Sequence, residues 1–503
     1  MDRRRFLRDF LSSAVALACA PALLRAEVAY GSTHELFERG LATQSWLAGW
    51  KTVGRESLGP TQATLEGRIP DGLAGVLYRN GPAWFDRAGF RYHHWFDGDG
   101  MMSAWRIGRD GIQHRARMIA TSKFRREQAN GRFLLPAGGT RVPGAQSIRN
   151  NDDMNTANTA VIRIRGRVLA LWEGGSATEL DPDDLRTLGP VTWREDMTAA
   201  PFSAHPLRDR DGSVWNFGLL SMVGGSGLLI WHVGADGKLI RTAVLPADVP
   251  GYVHAFAMTD RYLVFMLSPY QREGEGVAFF ERLRFQTSEP CRVAVVPKDA
   301  LDAPRWFELP FAAAYHFGQA FLRRNVITVP TVRHLDAEEM RSPMAGAMRG
   351  ERSDSLPTDL ALMRLDLQSG RAHWDASGLG RLEFPTVDAR YPESKGARVY
   401  ATTTLDPISA PYSNAIGAFD AERGRRNVHR YGTDVMSEEH VFVLRPGSRK
   451  PGDGWLVGTW VDHRKGRSGI SILDAESVSD GPMAQAWLPY VLPLGFHGTF
   501  AAR

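Results

Sequence analysis

Residues 228–245 read LLIWHVGADGKLIRTAVL, which is the pattern of a β-hairpin. Apolar and β-branched residues flank Asp236-Gly237, and an Asp-Gly pair supplies the backbone conformation that a tight hairpin turn requires. Further Asp-Gly pairs begin at Asp71, Asp110, Asp211 and Asp453. Similar apolar runs occupy residues 75–81, 160–175, 261–268 and 325–332. Because long amphipathic helical patterns are scarce, the sequence predicts an all-β fold.

The number of strands favours one architecture. A single sandwich or small barrel is too small for the many short strands predicted after residue 60, whereas a β-propeller repeats blades of about four strands around an axis. The sequence shows no repeat of the WD or kelch kind, so this prediction rests on strand number alone. We expect an N-terminal arm over residues 27–60, with a short helix within 34–50, and a single propeller domain over 61–503. Residues 272–290 and 333–357 are rich in turn residues and charges and are predicted as surface loops.

The first 26 residues have the layout of an export signal. Consecutive arginines at positions 3–5 precede Phe6 and Leu7, an apolar run follows over residues 11–24, and small residues lie near Ala26. This arrangement is typical of a twin-arginine signal peptide. We therefore expect recognition by the twin-arginine export machinery and a periplasmic or secreted mature protein. The alternative is an ordinary basic N-terminus.

Charge and cysteine content exclude other classes of protein. The formal net charge is +5, and residues 1–26 carry five arginines and two aspartates, so the remaining chain carries +2. Phosphate binding needs a concentrated basic surface, so a nucleic-acid partner is not expected. Of the two cysteines only Cys291 lies beyond the signal, so no intramolecular disulfide is expected. No run of eighteen apolar residues follows the signal, so the mature protein is expected to be soluble or at most peripherally attached to a membrane.

Four of the 14 histidines lie among small or aromatic residues without an adjacent opposite charge. They are His205, His254, His316 and His497. Others lie in polar surroundings and are assigned no role in a site, namely His34, His334, His373 and His429. The first four are too far apart in sequence for a helical His-x-x-x-His zinc site, and they fit a centre to which different blades each supply one ligand. Imidazole suits iron, copper, nickel and zinc alike, and a lone histidine on a strand is more often structural, so both the site and its metal stay open at this point.

Three glutamates lie within apolar strands. They are Glu173 in LALWEGG, Glu383 in RLEFPTVD and Glu439 in EEHVFVLRP. Ionised glutamates are rarely buried unless paired, and metal-bound histidines typically donate their second ring N–H to a carboxylate. These glutamates are therefore candidates to support a four-histidine centre. The alternative is that they face solvent from edge strands.

Seven motifs together resemble the carotenoid cleavage oxygenase family, which includes carotenoid, apocarotenoid and stilbene oxygenases. The motifs are GVLYRNGP (75–82), HWFDGDGM (94–101), NTANT (155–159), LALWEGG (169–175), DPDDLRTLG (181–189), AHPLRDRDGSVWNFG (204–218) and PLGFHG (493–498). The resemblance spans the chain from about residue 60 to residue 503. It implies a seven-bladed β-propeller with a non-haem Fe(II) ion on its axis and with loops and short helices capping one face. It also implies that the four histidines are the iron ligands and that Glu173, Glu383 and Glu439 are the carboxylates behind them.

The resemblance further implies the reaction. An Fe(II)-dependent dioxygenase of this family would cleave a C=C bond of a carotenoid or apocarotenoid into two carbonyl products, with no catalytic side chain beyond the metal centre. Selectivity would come from the position of the alkene in an apolar tunnel. The expected partners are an apolar alkene and O2, with a peripheral membrane contact for substrate uptake. The alternatives are cleavage of a stilbene, as in lignostilbene-type dioxygenases, isomerisation of an alkene, and a propeller that only binds an apolar ligand.

Several positions depart from the family's pattern. Gln319 stands where asparagine is common, His440 follows Glu439 where proline is usual, and Ala255 replaces a common aspartate. We expect His440 to alter the hydrogen bonding of Glu439. In relatives that cleave hydroxylated stilbenes, a tyrosine and a lysine hold the phenol. Here His114 is predicted at the tyrosine position and no lysine is evident, which favours a carotenoid or apocarotenoid substrate.

Overall fold

Seven β-sheets of four to six strands dominate the structure and form a seven-bladed β-propeller. The structure, a computed structural model, describes residues 27–222, 225–247, 251–272, 278–335, 345–352, 357–390 and 398–503. The predicted all-β propeller is therefore confirmed. Residues 1–26 lie outside the described residues, so the export signal stays a prediction.

The two ends of the chain close the propeller. Blade 1 contains, in order across the sheet, β1 (Ser57–Gln62), β7 (Gly111–Met118), β6 (Asp99–Gly108), β3 (Gly75–Trp84) and β35 (Gly498–Ala502). Blade 7 contains β2 (Thr64–Gly67), β34 (Pro482–Trp487), β33 (Arg467–Asp474), β32 (Gly454–Asp462) and β31 (Val435–Leu444). Strands β3 and β35 pair antiparallel, with Gly75 opposite Ala502 and Arg79 opposite Gly498. This pairing holds the C-terminal segment, which includes His497, inside the fold.

The remaining blades follow the order of the chain. Blade 2 contains β8 (Ala160–Ile164), β9 (Arg167–Leu171), β10 (Thr178–Leu180) and β11 (Thr187–Pro190). Blade 3 contains β12 (Leu207–Arg208), β13 (Val214–Met222), β14 (Gly225–Val233) and β15 (Leu239–Ala247). Blade 4 contains β16 (Gly251–Tyr252), β17 (Ala257–Met258), β18 (Tyr262–Arg272), β19 (Leu283–Phe285), β20 (Cys291–Pro297) and β21 (Arg305–Leu309). Blade 5 contains β22 (Ala313–Phe317), β23 (Phe321–Arg323), β24 (Val326–His334), β25 (Thr358–Asp366) and β26 (Ala372–Gly380). Blade 6 contains β27 (Leu382–Thr386), β28 (Arg398–Thr403), β29 (Ala415–Asp420) and β30 (Arg425–Arg430).

The hairpin predicted from residues 228–245 is present in blade 3. Strands β14 and β15 pair antiparallel, and Gly237 in the turn has φ +79°, a conformation that glycine adopts without strain. Leu228 and Ile230 pack with residues of blade 4, whereas Leu229 and Trp231 pack with residues of blade 2. Successive side chains point to opposite faces of a strand, and both faces are covered here. This explains why residues 228–231 are all apolar.

The hydrophobic core is divided among the interfaces between neighbouring blades. Trp105 of blade 1 and Trp455 of blade 7 share one cluster, and Val264 of blade 4 and Val329 of blade 5 share another. The strand at one edge of each of several sheets also contacts the corresponding strand of a neighbouring blade. Strand β35 contacts β8 and β31, and β27 contacts β22 and β31. Side chains on or beside these strands therefore converge on the centre of the ring.

Short helices and one small hairpin complete the described fold. The helices are α1 (Glu27–Leu41), α2 (Ser122–Asn130) and α3 (Phe279–Arg282), and the hairpin is β4 (Asp86–Arg87) with β5 (Phe90–Arg91). The 3-10 helices span Ser45–Trp50, Trp95–Asp97, Asn151–Met154, Glu195–Met197, Ala347–Arg349 and Val478–Asp480. The arm is held by the buried Arg91, which donates hydrogen bonds to the carbonyl oxygens of Trp50 (2.7 Å) and Met348 (2.9 Å). No helix within the described ranges is long and apolar enough to cross a membrane.

The prediction of two surface loops is partly wrong. Within 272–290, α3 and β19 form, and β19 pairs with the end of β18. Within 333–357, β24 continues to His334, and Ala347 and Met348 are buried against the arm. Residues 336–344 and 353–356 lie outside the described ones. Apolar side chains inside both segments pack against the rest of the protein. The free energy gained by burying them favours ordered structure here, although turn residues surround them.

Candidate metal centre

Four histidines from four blades meet at the centre of the propeller. His205 precedes β12, His254 lies between β16 and β17, His316 lies on β22, and His497 precedes β35. One ring nitrogen of each lies within 4.8 Å of the corresponding atoms of the others. The scattered positions predicted from the sequence thus converge on one point.

The four rings form a compact group. The Nε2 atoms of His205 and His254 are 2.9 Å apart, and the ring of His205 lies 5.1 Å from that of His316 and 4.6 Å from that of His497. Burial first, and then the neighbouring histidines, hold the pKa of His205 well below its usual range. Burial likewise lowers the pKa of His497 to about 4, although Glu439 opposes this shift. Both rings therefore keep a free nitrogen lone pair at neutral pH.

Each of the three glutamates accepts a hydrogen bond from one of these histidines, although Glu173 lies in the turn after β9 and not within a strand as predicted. Nδ1 of His254 lies 3.1 Å from Glu173, Nδ1 of His316 lies 2.7 Å from Glu383, and Nδ1 of His497 lies 2.8 Å from Glu439. A carboxylate accepts only, so Nδ1 carries the hydrogen and Nε2 is left free to face the centre. Within the described part of the chain, no carboxylate takes this position for His205.

The glutamates are themselves held by groups that the sequence analysis did not identify. Glu439 accepts from Arg79 (3.0 Å) and from the Gly498 N–H (2.7 Å). Burial alone would raise the pKa of Glu439, but His497 and then Arg79 hold it below its usual range. Arg79 also donates to Glu438 (3.3 Å), so it forms a buried triad with two carboxylates. The arginine lies in the motif GVLYRNGP, where a charged residue inside an apolar strand is the only sequence signal for this role.

The other two glutamates also accept hydrogen bonds from neighbouring side chains. Nε2 of His334 lies 2.9 Å from Glu383, and the Tyr252 hydroxyl donates to Glu173 at 3.3 Å. Burial would raise the pKa of Glu383, but hydrogen bonds and charges of His316 and His334 hold it well below its usual range. The prediction that His334 lies in polar surroundings without a role is wrong. Its segment is polar in sequence, yet it ends a strand that turns the ring inward.

A cavity of about 400 Å³ opens onto the histidines. Three of the four histidines line it, namely His254, His316 and His497. Its walls are mainly apolar and contain many aromatic side chains, with Phe96, Trp172, Tyr315, Phe384 and Phe496 among the lining residues. The cavity therefore suits an apolar ligand that lies against the histidine cluster.

Comparison with known proteins supports the same reading of fold and site. A model of the family described as Retinal pigment epithelial membrane protein matches residues 50–502. The chain belongs to this family of carotenoid cleavage oxygenases. Carotenoid 9,10(9',10')-cleavage dioxygenase 1 of Pisum sativum is 28% identical over 93% of this chain and 92% of its own length.

Two further relatives and one solved structure extend the comparison. Apocarotenoid-15,15'-oxygenase of Synechocystis sp. is 27% identical over 92% of this chain and 97% of its own length. The crystal structure of cobalt-substituted Synechocystis ACO superposes with a TM-score of 0.83 at 26% identity, covering 92% of this chain and 99% of that one. Lignostilbene-alpha,beta-dioxygenase isozyme III of Sphingomonas paucimobilis is 27% identical over 87% of this chain and 93% of its own length.

The departures from the family's pattern leave the histidine cluster intact. Gln319 donates to the Met258 carbonyl oxygen at 2.6 Å, which ties blade 5 to blade 4. The expectation that His440 alters the hydrogen bonding of Glu439 is wrong. His440 points into blade 7, where Nδ1 lies 2.8 Å from the Glu438 carbonyl oxygen and Nε2 lies 3.0 Å from the hydroxyl oxygens of Tyr431 and Ser471. Ala255 is buried beside His254, and nothing in the structure explains its replacement of aspartate.

The assignment of His114 to a phenol-binding position is also wrong. Its ring is buried within blade 1, with Nε2 2.8 Å from Ser103 Oγ and Nδ1 3.1 Å from Tyr490 Oη. Lys123, which the sequence analysis did not identify, does line the cavity. Its ammonium group is fully buried and donates to Tyr92 (2.7 Å), Asp99 (2.8 Å) and Glu127 (2.8 Å). The position of His114 therefore gives no reason to prefer one substrate class over the other.

Proposed function

We propose that this protein is an Fe(II)-dependent dioxygenase that cleaves a C=C bond of a carotenoid or apocarotenoid into two carbonyl products. The observation that carries the proposal is the convergence of four histidine nitrogens at the wall of an aromatic cavity. Named relatives that act on carotenoids and apocarotenoids match over more than nine-tenths of this chain, which supports the substrate class.

The donor set fits a divalent transition-metal ion. Nε2 of His316 is enclosed and has no hydrogen-bond partner among the described residues. Nε2 of His205 and Nε2 of His254 face each other at hydrogen-bond distance, although Glu173 already takes the ring hydrogen of His254 at Nδ1. A cation among these atoms satisfies every lone pair at once. Four imidazoles suit several metals, and membership of the family makes iron the one proposed.

The residues of the chain prepare the site and leave the redox chemistry to the metal. Bound Fe(II) supplies the activation of O2. Glu173, Glu383 and Glu439 keep the hydrogens of three histidines on Nδ1, so that each Nε2 serves as a ligand. The aromatic walls hold the alkene against the histidines and exclude water, which makes orientation the source of selectivity. We propose no catalytic side chain beyond this centre.

A stilbene is the alternative substrate. The lignostilbene dioxygenase of Sphingomonas paucimobilis matches over a similar length, and Lys123 places a charged group in the cavity wall. However, all three donors of that ammonium group are occupied by protein oxygens, so it has no hydrogen left for a phenol. This favours the carotenoid or apocarotenoid.

Turnover with labelled oxygen tests the proposal. Iron-loaded protein is incubated under 18O2 with an apocarotenal, a carotenoid and a 4-hydroxystilbene, without NAD(P)H. We expect two carbonyl products from the apocarotenal or carotenoid, labelled from O2, and loss of activity in His316→Ala. His373→Ala, at an exposed position outside the cluster, is the matched control and should keep full activity.

Three other results would contradict the proposal in different ways. Cleavage of the stilbene alone would overturn the substrate class and keep the iron site. Unlabelled, rearranged alkene would indicate isomerisation. Binding without turnover of any alkene, with reduced iron present, would indicate a protein that only binds an apolar ligand.

We also propose export through the twin-arginine machinery to the periplasm or beyond, followed by contact with a membrane for substrate uptake. The basic and apolar pattern of residues 1–26 supports the first part. For the second part, Leu335 and Ile408 are exposed apolar residues, and each lies within two positions of a cavity-lining residue. Sedimentation with phospholipid vesicles should be reduced in Ile408→Asp, and equal sedimentation of both proteins would refute this contact.

A further inference from the structure

One end of the cavity is an aromatic compartment formed by Trp46, Trp50, Trp95 and Tyr412. The ring of Trp50 lies 5.5 Å from Trp46, 5.4 Å from Trp95 and 5.9 Å from Tyr412, and Trp95 lies 6.1 Å from Tyr412. Three segments supply these rings, the N-terminal arm, the 3-10 helix Trp95–Asp97 and the connection between β28 and β29. All four residues line the cavity, so the compartment is a box of rings continuous with the site.

The compartment begins one side chain away from the histidine cluster. Trp95 packs against Phe496 with ring centroids 4.6 Å apart, and Phe496 precedes His497 in the chain. A long alkene held against the histidines therefore reaches this compartment with one of its ends.

The indole N–H groups of the compartment are not available to a ligand in the cavity. Trp50 and Trp95 are each 3% exposed, and their indole Nε1 atoms have no acceptor among the described residues. Trp46 differs, because its Nε1 donates to Gln44 Oε1 at 3.1 Å. The Nε1 atoms of Trp50 and Trp95 are enclosed by protein atoms, so a ligand in the cavity does not reach them.

Tyr412 presents the accessible donor. Its hydroxyl group bonds to no residue in the part of the chain that the structure describes, and its oxygen is not enclosed by protein atoms, so it lies on the cavity surface. Burial, and then the carboxylates of Glu438 and Glu383, raise the pKa of this hydroxyl. Tyr412 therefore stays protonated and is available to donate.

We propose that the aromatic compartment binds a cyclic end group that carries a hydroxyl or carbonyl oxygen, and that Tyr412 donates a hydrogen bond to this oxygen. The inference rests on the proposed function for the position of the double bond, and it adds that the substrate is oxygenated at one end. A plain hydrocarbon ring fills the same space but leaves the hydroxyl group of Tyr412 unpaired. A site built around a hydrogen bond discriminates against such an analogue.

Equilibrium binding tests the proposal without turnover. The probes are 3-hydroxy-β-ionone and β-ionone, titrated into the metal-free full chain while quenching of tryptophan fluorescence is measured. We expect the hydroxylated ring to bind about 3- to 10-fold more tightly, which is the range for one net hydrogen bond. Tyr412→Phe should bring this ratio to one while leaving the Kd for β-ionone unchanged.

A matched control is available in Tyr400→Phe. Tyr400 is buried and its hydroxyl also lacks a partner among the described residues, but it packs between blades 6 and 7 and does not line the cavity. This variant should keep the wild-type ratio. Equal Kd values for both probes in the wild-type protein, or an unchanged ratio in Tyr412→Phe, would overturn the proposal. Loss of the ratio in Tyr315→Phe and not in Tyr412→Phe would also overturn it, because the oxygen would then lie beside the histidines.

The two proposals fail separately. Protein that shows the binding ratio but cleaves no alkene would refute the proposed function and support the compartment. Protein that cleaves hydroxylated and unsubstituted apocarotenals with equal kcat/KM, and binds both probes equally, would refute the compartment and support the function.

Discussion

Replacing Arg79 by methionine should destabilise the fold and weaken metal binding together. The guanidinium group lies 3.0 Å from Glu439 and 3.3 Å from Glu438, and all three side chains are buried. Arg79→Met leaves two buried carboxylates without their cation. Removing one partner of a buried ion pair costs about 3 to 5 kcal/mol, because the remaining charge stays desolvated. We expect the free energy of unfolding to fall by about this amount.

Metal binding should weaken because Arg79 holds the carboxylate of Glu439, which positions His497 through the 2.8 Å hydrogen bond to Nδ1. Since Glu439 itself is kept, the loss of affinity should be smaller than the about 10- to 100-fold that is typical when the direct partner of a ligand is removed. Urea unfolding of the metal-free protein measures the first effect, and iron retained against graded chelator concentrations measures the second. The double variant Arg79→Met/Glu438→Gln removes one of the stranded charges and should recover part of the stability.

Arg445→Met is the matched control for this prediction. Arg445 also bridges two carboxylates, those of Asp453 and Asp474, but all three side chains are partly exposed. A solvent-exposed pair contributes at most about 1 kcal/mol, so this variant should be only slightly less stable than the wild type. Equal losses of stability in the two variants, or full iron retention in Arg79→Met, would refute the reasoning.

Three further predictions concern the site, the fold and the N-terminus. Metal analysis of His254→Ala should show loss of most of the iron, with an unchanged circular dichroism spectrum. The control variant His373→Ala should keep its iron. Full iron occupancy in His254→Ala would exclude His254 as a ligand. Burial lowers the pKa of His440 from the usual 6.5 to about 4. Between these two pH values His440 is protonated in the unfolded chain but not in the folded chain, so the folded state loses stability as the pH falls from 6.5 towards 4. In His440→Gln this contribution, at most about 1.4 kcal/mol per pH unit, is absent, and the melting temperature should fall less between pH 7 and pH 5 than in the wild type. The Arg4→Lys/Arg5→Lys variant should accumulate as precursor in the cytoplasm by cell fractionation, and normal export would contradict a twin-arginine signal.

Local features of the fold could be predicted because they depend on neighbouring residues. The hairpin at 228–245 follows from the apolar and β-branched residues on both sides of Asp236-Gly237, and both features can be read within one short window. The number of blades could not be read this way, because the sheets repeat in geometry and not in sequence. The resemblance to the family supplied that number.

The site was predictable in its histidines and less so in the groups behind them. An imidazole without a nearby opposite charge is conspicuous in an apolar strand, so His316 stood out. Arg79 and Glu439 are 360 positions apart, and no local pattern connects them. His334 was missed because its sequence neighbours are polar, although the strand directs its ring towards Glu383. Placing His114 by comparison of motifs failed because β7 turns this side chain into the blade and away from the cavity.

The charges around the histidines link metal binding to folding. Glu173, Glu383, Glu439 and Glu438 surround the cluster, and Arg79 is the cation that hydrogen-bonds to two of them. The pKa values of Glu383 and Glu439 lie below their usual range, so these two carboxylates stay ionised. Burying uncompensated carboxylates is costly, and a divalent cation held by the histidines would offset that cost. We therefore expect metal binding and folding to be coupled in this protein. A chain of this kind gains from acquiring its metal as it folds, which agrees with the proposed export route because that route carries folded proteins.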